Sequence, residues 1–387
     1  MLLMIFAIPL AWLQLVREKA RLVIALAGIA FAVILMMLQL GFQDALFESS
    51  VTLHRRLKTD IVLINPQSTA LIAMKSFARS RLYQAQGIAG VESVIPIYLD
   101  FGFWKNPETR ETRQILALAF DPDVSVLDLP EVEALQNKVK VPDVVLFDQA
   151  SREEFGPIAA EFRQGKRVTT EVSSREVRVG GLFTLGASFA ADGNLITSDL
   201  NFLRIFDQRP PGLIDVGLIR TQPEADIESV IQRLQTTLPD DVIVLSKEGF
   251  TEFEQAYWRS STAIGFIFTL GTMMGFIVGI VIVYQILYTD VSNHLPEYAT
   301  LKAMGYKSTF LFSVVIQEAL ILSVLGYLPG FGLSWLLYGL TRSATALPLT
   351  MVTSRALLVF TLTLVMCLLS GAIAMRKVQA ADPADIF

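Results

Sequence analysis

The side chains that most often carry chemistry are scarce in this chain. Of its 387 residues only two are histidine, His54 and His294, and one is cysteine, Cys367. A zinc-type site needs three or four such ligands brought together, so the sequence points away from one. Neither H-E-x-x-H nor G-x-S-x-G occurs. The adjacent carboxylates Glu153/Glu154 and Asp240/Asp241 read as solvated surface. No G-x-x-x-x-G-K-[ST] phosphate loop is present; "GYKS" at 305–308 lacks the glycine before the lysine and the glycine-rich turn upstream. No catalytic residue, metal ligand or cofactor site is therefore assigned, and the chain is not expected to be an enzyme. Any work it does has to be driven by a partner.

The elements around these residues belong to a membrane protein. Mean hydropathy is +0.50, with 52% hydrophobic residues, high for a soluble domain. Four apolar runs, 22–43, 262–288, 309–340 and 356–376, each reach the roughly 20 residues needed to cross a bilayer. The N-terminal stretch is shorter, is interrupted by Pro9, and lacks a basic start and a small-residue cleavage site. Residues 1–21 are read as an interfacial helix anchored by Trp12. Arg17, Lys19, Arg21, Lys302, Lys307, Arg376 and Lys377 fall on one side of the spans, and only Arg342 and Arg355 lie in the short loop 341–355. The first side is read as cytoplasmic, with both termini, and 44–258 as outside. That segment holds 22 basic and 31 acidic residues; nothing is basic enough for nucleic-acid binding.

The third run would make a helix of about 48 Å at 1.5 Å per residue. A carboxylate at mid-bilayer costs about 2.5–3.5 kcal/mol, so Gln317 and Glu318 are placed at the inner interface, with a kink at Pro329. The only membrane partner seen for Glu318 is Gln285, at another depth, which speaks against a proton relay. Gly271, Gly275 and Gly279 recur every four residues, a stripe that lets two helices approach closely. It could pack within the chain or form a dimer seam.

In the outer segment, β-branched and alternating runs predict strands at 60–64, 94–103, 115–120, 214–219 and 242–245, and helices at 78–86 and 226–234. The order reads as a split α+β module (44–120 and 210–258) with a mostly β insertion at 121–209.

Between the second and third spans, 289–308 contains "HLPEYATLKAMGYKS". Pro296 suits a first helical turn and Glu297 the positive end of the helix dipole. Tyr298, Leu301 and Met304 recur at threes, and Gly305 supplies the stop. A helix this short is marginal alone, so something has to cover Tyr298 and Leu301: lipid headgroups or a groove on a cytoplasmic partner. A cytoplasmic helix between two spans, in a chain with no ATPase of its own, is the pattern of a permease docked on a separate ATPase.

At these residues the chain resembles the MacB/FtsX-type permeases of ABC transporters (mechanotransmission, or type VII), most of all the DevC-like subunits. "EYATLKAMGYKSTFL" (297–311) is similar to the family's "REIGILRALGA" signature, "IQEALIL" (316–322) to its Glu-containing third span, and "ADPADIF" (381–387) to its C-terminal end. His294-Leu295-Pro296 departs from the arginine many relatives carry before the glutamate.

The resemblance implies a four-span α-helical membrane protein with a large extracytoplasmic α+β domain of Porter-like and Sabre-like parts. It implies a homodimer in the bacterial inner membrane with a separate ATPase that holds ATP and Mg, since only about 20 residues precede the first span. Pro296, Glu297, Tyr298, Leu301, Lys302, Met304 and Gly305 would then meet the ATPase. A periplasmic adaptor, a TolC-like outer-membrane channel and export of a lipid or glycolipid complete that expectation. The competing role is an FtsX-like scaffold that activates a cell-wall hydrolase without transport. A sensor receptor is disfavoured, because about ten residues follow Met375.

Overall fold

The computed structural model describes residues 10–345 and 347–380. The described residues divide into two compact units, a helical bundle (10–45, 263–345 and 349–380) and a mixed α/β domain (46–262 with 347–348). In chain order the elements up to the domain are α1 (Leu10–Arg17), α2 (Lys19–Ser50) and α3 (Thr52–Arg56). The domain then runs β1 (Ile61–Ile64), β2 (Phe77–Ala78), α4 (Ser80–Gln86), β3 (Val91–Lys105), β4 (Thr112–Phe120), α5 (Pro130–Leu135) and β5 (Val144–Asp148). It continues with α6 (Ile158–Arg163), β6 (Thr169–Val172), β7 (Arg175–Phe183), β8 (Asn194–Ser198), α7 (Asp199–Ile205), β9 (Leu213–Ile214) and β10 (Val216–Thr221). It closes with α8 (Ile227–Thr237), β11 (Ile243–Ser246) and α9 (Lys247–Ala256), followed by a π turn, Tyr257–Ser261. The remaining helices are α10 (Ala263–Asn293), α11 (Leu295–Ala303), α12 (Ser308–Thr345) and α13 (Thr353–Ala380).

The domain is built on one nine-stranded sheet in the order β11-β1-β10-β3-β4-β8-β5-β7-β6. β1 is apolar and buried along its whole length, as a strand covered on both faces must be. β3 is the hinge of the sheet. Its first half pairs with β10, from Val91 to Ile97. Its second half pairs with β4, from Tyr98 to Lys105. The far strands curl round until β6 meets β3 again at Trp104–Val172, which closes the second half into a ring. Trp104 fills that ring, fully buried against Phe147 and Phe155, and its indole N–H donates to the Phe155 carbonyl at 3.2 Å. β3 is shared by both parts of the sheet. A single 15-residue strand serves both halves, so β4 joins the strands of the insertion. Side-chain caps start α8 and α9: Asp226 accepts from Ser229 N–H ahead of α8, and Ser246 from Gly249 N–H ahead of α9.

Four helices of the bundle are long and apolar enough to span a membrane: Lys19–Ser50, Ala263–Asn293, Thr309–Ala344 and Thr353–Met375. α12 continues across Pro329. Close approach is what holds α2 among the others. A Cβ on Gly326 would lie 2.6 Å from Ile29 Cβ, and one on Gly330 2.8 Å from Val33 Cβ. Gly28 meets Ile282 in the same way from the α10 side. The Gly271/Gly275/Gly279 stripe faces Gln39, Met36 with Leu35, and Met366 with Ala32. α2 and α13 of the same chain cover it. The dimer-seam reading of these glycines therefore gives way to intrachain packing.

A leucine at Gly326 should overpack a fixed β-branched neighbour and cost about 1–3 kcal/mol. Gly339, with nothing within 4 Å of its Cβ position, should accept leucine without loss. Thermal unfolding of the two variants in detergent checks this; equal midpoints would mean that the α2–α12 contact is not made.

Candidate functional site: the α11 end of the bundle

α11 forms as its local sequence dictates. Pro296 lies in the first turn and Lys302 in the last. Gly305 takes a left-handed φ of 94° and stops the helix. Gly305 N–H donates to Lys302 O at 3.1 Å, Tyr306 N–H to Leu301 O at 3.1 Å, and Met304 N–H to Thr300 O at 3.0 Å, so the last carbonyls are satisfied. The helix is shorter than the segment 289–308, because α10 runs on to Asn293 and α12 begins at Ser308. Only His294 separates α10 from α11. Its N–H still donates to Asp290 O at 3.1 Å and its carbonyl accepts from Tyr298 N–H at 3.0 Å, so the two helices share a nearly unbroken ladder.

The cover over Tyr298 is the chain itself. Tyr298 is 1% exposed, packed with Val291, Leu311, Val315 and Met375. Leu301 is half-buried against the same cluster. Neither is held out for docking, which corrects the expectation for both. The apolar stripe is real, but α12 and α13 receive it. Pro296, Glu297, Thr300, Met304, Gly305, Tyr306 and Lys307 are exposed, while Lys302 is half-buried. Met304 is 64% and Tyr306 43% accessible, so apolar surface does face outward, one turn later than expected.

Beneath α11 lies a group of buried polar side chains. Asp290 and His294 are both buried, with Asp290 Oδ1 3.7 Å from His294 Nδ1 and 3.8 Å from Arg21 Nη1. Arg21 also pairs with Glu18. With its amide oxygen turned toward Arg21, Asn293 accepts from Nη1 at 2.9 Å and Nη2 at 2.6 Å. Glu318 is fully buried and faces Asp290. Neither oxygen of Glu318, nor Asp290 Oδ2, meets a hydrogen-bond donor among the described residues. Glu318 is thus not an interfacial carboxylate capped by polar neighbours. Its counterpart is Asp290, not Gln285, and Gln317 beside it is half-buried. Two acidic groups on facing helices, with Arg21 close to one of them, make a contact that is sensitive to the spacing of α10 and α12.

The other end of the bundle carries a clasp that composition counted only as loop charge. Arg355, 5% exposed, donates to Asp44 Oδ2 from Nη2 at 2.6 Å and Nε at 3.0 Å. Its Nη1 donates to Tyr338 Oη at 3.1 Å and Thr350 O at 3.0 Å. Tyr338 Oη donates in turn to the Met37 carbonyl. One guanidinium therefore ties α2, α12 and α13 together. Among the described residues no group of His, Cys, Asp and Glu could hold a metal ion. The "ADPADIF" end and residues 1–9 of the interfacial segment lie outside the described residues.

Four helices long and apolar enough to span a membrane, a mixed α/β domain inserted in the chain between the first and second, and a short polar helix between the second and third are the features of a multi-pass membrane protein. Residues 263–383 match the FtsX-like permease C-terminal family. Over those C-terminal helices the chain is similar to FtsX-like permeases, in line with the resemblance read from the sequence. Solved structures that resemble it include the periplasmic region of MacB from Actinobacillus actinomycetemcomitans, at 11% identity and a TM-score of 0.34, covering 51% of this chain and 92% of that one. The extracellular domain of the noncanonic ABC-type transporter YknZ from Gram-positive bacteria matches at 16% identity and a TM-score of 0.33, covering 49% and 100%. A domain of a putative permease protein from Porphyromonas gingivalis matches at 11% and 0.29, covering 50% and 89%. No curated protein matches the chain.

The two ends of the bundle should answer differently to mutation. Glu318→Gln keeps the shape and exchanges a buried acid beside Asp290 for a neutral amide that can donate to it, so the thermal midpoint should hold or rise. Arg355→Gln leaves Tyr338 and Asp44 without their donor, at a cost of about 1–3 kcal/mol. Unfolding scans of both in detergent decide; a large loss in Glu318→Gln would show that the carboxylate is solvated or paired after all.

Proposed function

We propose that this chain converts ATP-driven motion of a separate cytoplasmic ATPase into motion of its outer domain. The observation that carries the reading is the division of α11 into two faces. Tyr298 and Leu301 fix it to α12 and α13, while Glu297, Met304, Tyr306 and Lys307 face outward. Displacement of such a helix reaches three spans at once: α10 through the shared ladder at His294, and α12 and α13 through Tyr298. Lys19, Arg21, Lys302 and Lys307 support a cytoplasmic location for this end by the positive-inside rule. The domain of residues 46–262 would then be periplasmic, with Porter-like and Sabre-like halves meeting along β3.

The complex would be a homodimer in a bacterial inner membrane, with an adaptor and a TolC-like channel as further partners. A lipid, glycolipid or other envelope substrate would be handled on the outer side. The bundle supports that assignment: its buried ionisable groups Asp290, His294, Glu318 and Arg355 sit toward its ends, which favours mechanical coupling over a charged path through the middle. ATP and Mg belong to the ATPase.

Met304→Asp/Tyr306→Ala should weaken ATPase docking by at least tenfold. An apolar side chain that is fully buried on docking contributes about 1.5–3 kcal/mol, and 1.4 kcal/mol is about one decade. Tyr298→Ala should instead lower thermal stability, by about 3–5 kcal/mol for a large buried ring. Co-purification of the ATPase with stimulated hydrolysis, read beside unfolding scans, separates the two. Docking unchanged in the Met304/Tyr306 variant would end this account of α11. Orientation is checked in a Cys367→Ala background. Asp199→Cys should label from outside in intact spheroplasts and Lys302→Cys should not; the reverse pattern would invert the topology.

A further inference from the structure

The domain contains a titratable pair that the coupling scheme does not use. His54 lies on α3, the first short helix after α2, and is 1% exposed. Glu254 lies on α9, shortly before the chain leaves the domain toward α10, and is fully buried. His54 Nε2 stands 3.7 Å from Glu254 Oε2. Glu254 Oε2 accepts from Leu71 N–H at 2.7 Å, and Oε1 from the Trp258 indole N–H at 2.8 Å. The His54 ring lies 4.3 Å from that of Phe250, and neither ring nitrogen has a hydrogen-bond partner among the described residues.

The cavity beside His54 is lined by uncharged side chains. α3 contributes Leu53 and Leu57, and the strands contribute Ile97, Leu99, Leu118 and Val216. Arg55 and Arg56 on α3, and Glu248 and Glu252 on α9, are exposed. A histidine and a glutamate that face only each other in apolar surroundings cannot both carry a proton, since that leaves a buried cation. Nor can both lose it without leaving a buried anion.

We propose that His54 and Glu254 form a proton-binding site of the outer domain, which holds a single shared proton in the folded state and loosens the joint between α3 and α9 when that proton leaves. Burial pushes Glu254 up to about 7, against the pull of its two donors, and pushes His54 down to about 3. The ordinary values, which hold in the unfolded chain, are 4.5 and 6.5. Between these two values the folded and unfolded chains each hold one proton on the two groups, and stability is flat in pH. Above 6.5 the unfolded chain has lost that proton and the folded pair still keeps it, so stability falls as pH rises through about 7. Below 4.5 the unfolded chain takes up a second proton that the folded pair refuses, so stability falls again as pH drops toward about 3. The count is the same whether the shared proton rests on carboxyl or imidazole. The alkaline limb lies near neutrality, so an outward-facing domain would report a rise in the pH of its surroundings at the two segments that join it to the first and second spans.

The chain has only two histidines, so the site can be followed directly. Full-length protein with 15N-labelled histidine is placed in lipid nanodiscs, and His294→Gln assigns the signals. The His54 ring nitrogens should shift between roughly pH 5 and 8, with a midpoint near 7, and Glu254→Gln should abolish the shift. Trp258→Phe removes one donor to the carboxylate but keeps the pair, so its midpoint should move up. That arm decides should Glu254→Gln fail to fold. Wild-type signals that stay constant over this range, an unchanged titration in Glu254→Gln, or a midpoint in Trp258→Phe that does not move would each overturn the proposal.

Discussion

The contact on which the bundle depends is the close approach of α2 to α10 and α12. Lipid offers no hydrophobic drive for helices to associate, since acyl chains are as apolar as leucine. Association then rests on how closely backbones can come together. Gly326 against Ile29, Gly330 against Val33 and Gly28 against Ile282 meet that requirement on two sides of one helix. Gly275 and Gly279 extend the seam toward Met36 and Ala32. Each pairing sets a glycine against a larger side chain on the opposing helix, so translation of α2 along either neighbour would bring a side chain against backbone. A span packed in this way moves with its neighbours or not at all.

Polar groups then fix what the glycines leave free. Close-packed helices can still rotate or rock, and the ends of the bundle restrain that motion unequally. At the end away from α11, Arg355 has four acceptor contacts on Asp44, Tyr338 and Thr350, so its hydrogen-bonding capacity is well used. A satisfied buried network rigidifies its surroundings. At the α11 end Glu318 and Asp290 face each other, and no other described residue donates to Glu318 or to Asp290 Oδ2. An incompletely satisfied buried contact stabilises no single arrangement strongly. The bundle is thus pinned at one end and poised at the other, and the poised end carries α11.

Features set by neighbours in sequence are legible without the structure, and features set by partners far away are not. The four spans follow from run length alone. The start and stop of α11 follow from Pro296 and Gly305, because the rules for helix ends are local. That Tyr298 and Leu301 share an apolar stripe is also readable, since period is a property of one helix. What the stripe meets is decided by α12 and α13, and a tyrosine buried among spans looks the same in sequence as one that waits for a partner. Arg355 and Asp44 are 311 residues apart, and nothing local joins them. Asp290 ends an apolar run, where a carboxylate reads as the return to water, so its burial against Glu318 has no local sign. In the domain, the strands at 61–64 and 91–105 are visible as β-branched runs, but no periodicity shows that one half of β3 pairs with β10 and the other with β4. The short strands Thr169–Val172 and Asn194–Ser198 carry too few residues for alternation to stand out.

The double duty of α11 explains why an ordered helix stands where a turn would connect two spans. A flexible loop absorbs displacement within its own dihedral freedom, so a partner that pushed on it would do little work on the helices it joins. α11 lacks that freedom at both ends. Upstream, the Asp290–His294 and His294–Tyr298 backbone bonds continue the ladder of α10 with one residue between. Downstream, the left-handed Gly305 turns the chain within a few residues into Ser308 and α12. Tyr298 adds a third restraint through Val315 and Met375. Force applied to the exposed side therefore meets packed side chains directly beneath it. The softest contact it reaches is the facing pair of acids Asp290 and Glu318, where a small change in helix spacing alters a short-range polar contact in a low-dielectric setting. Stiffness at the surface and softness one turn below it are the combination a helix needs in order to pass on a push rather than dissipate it.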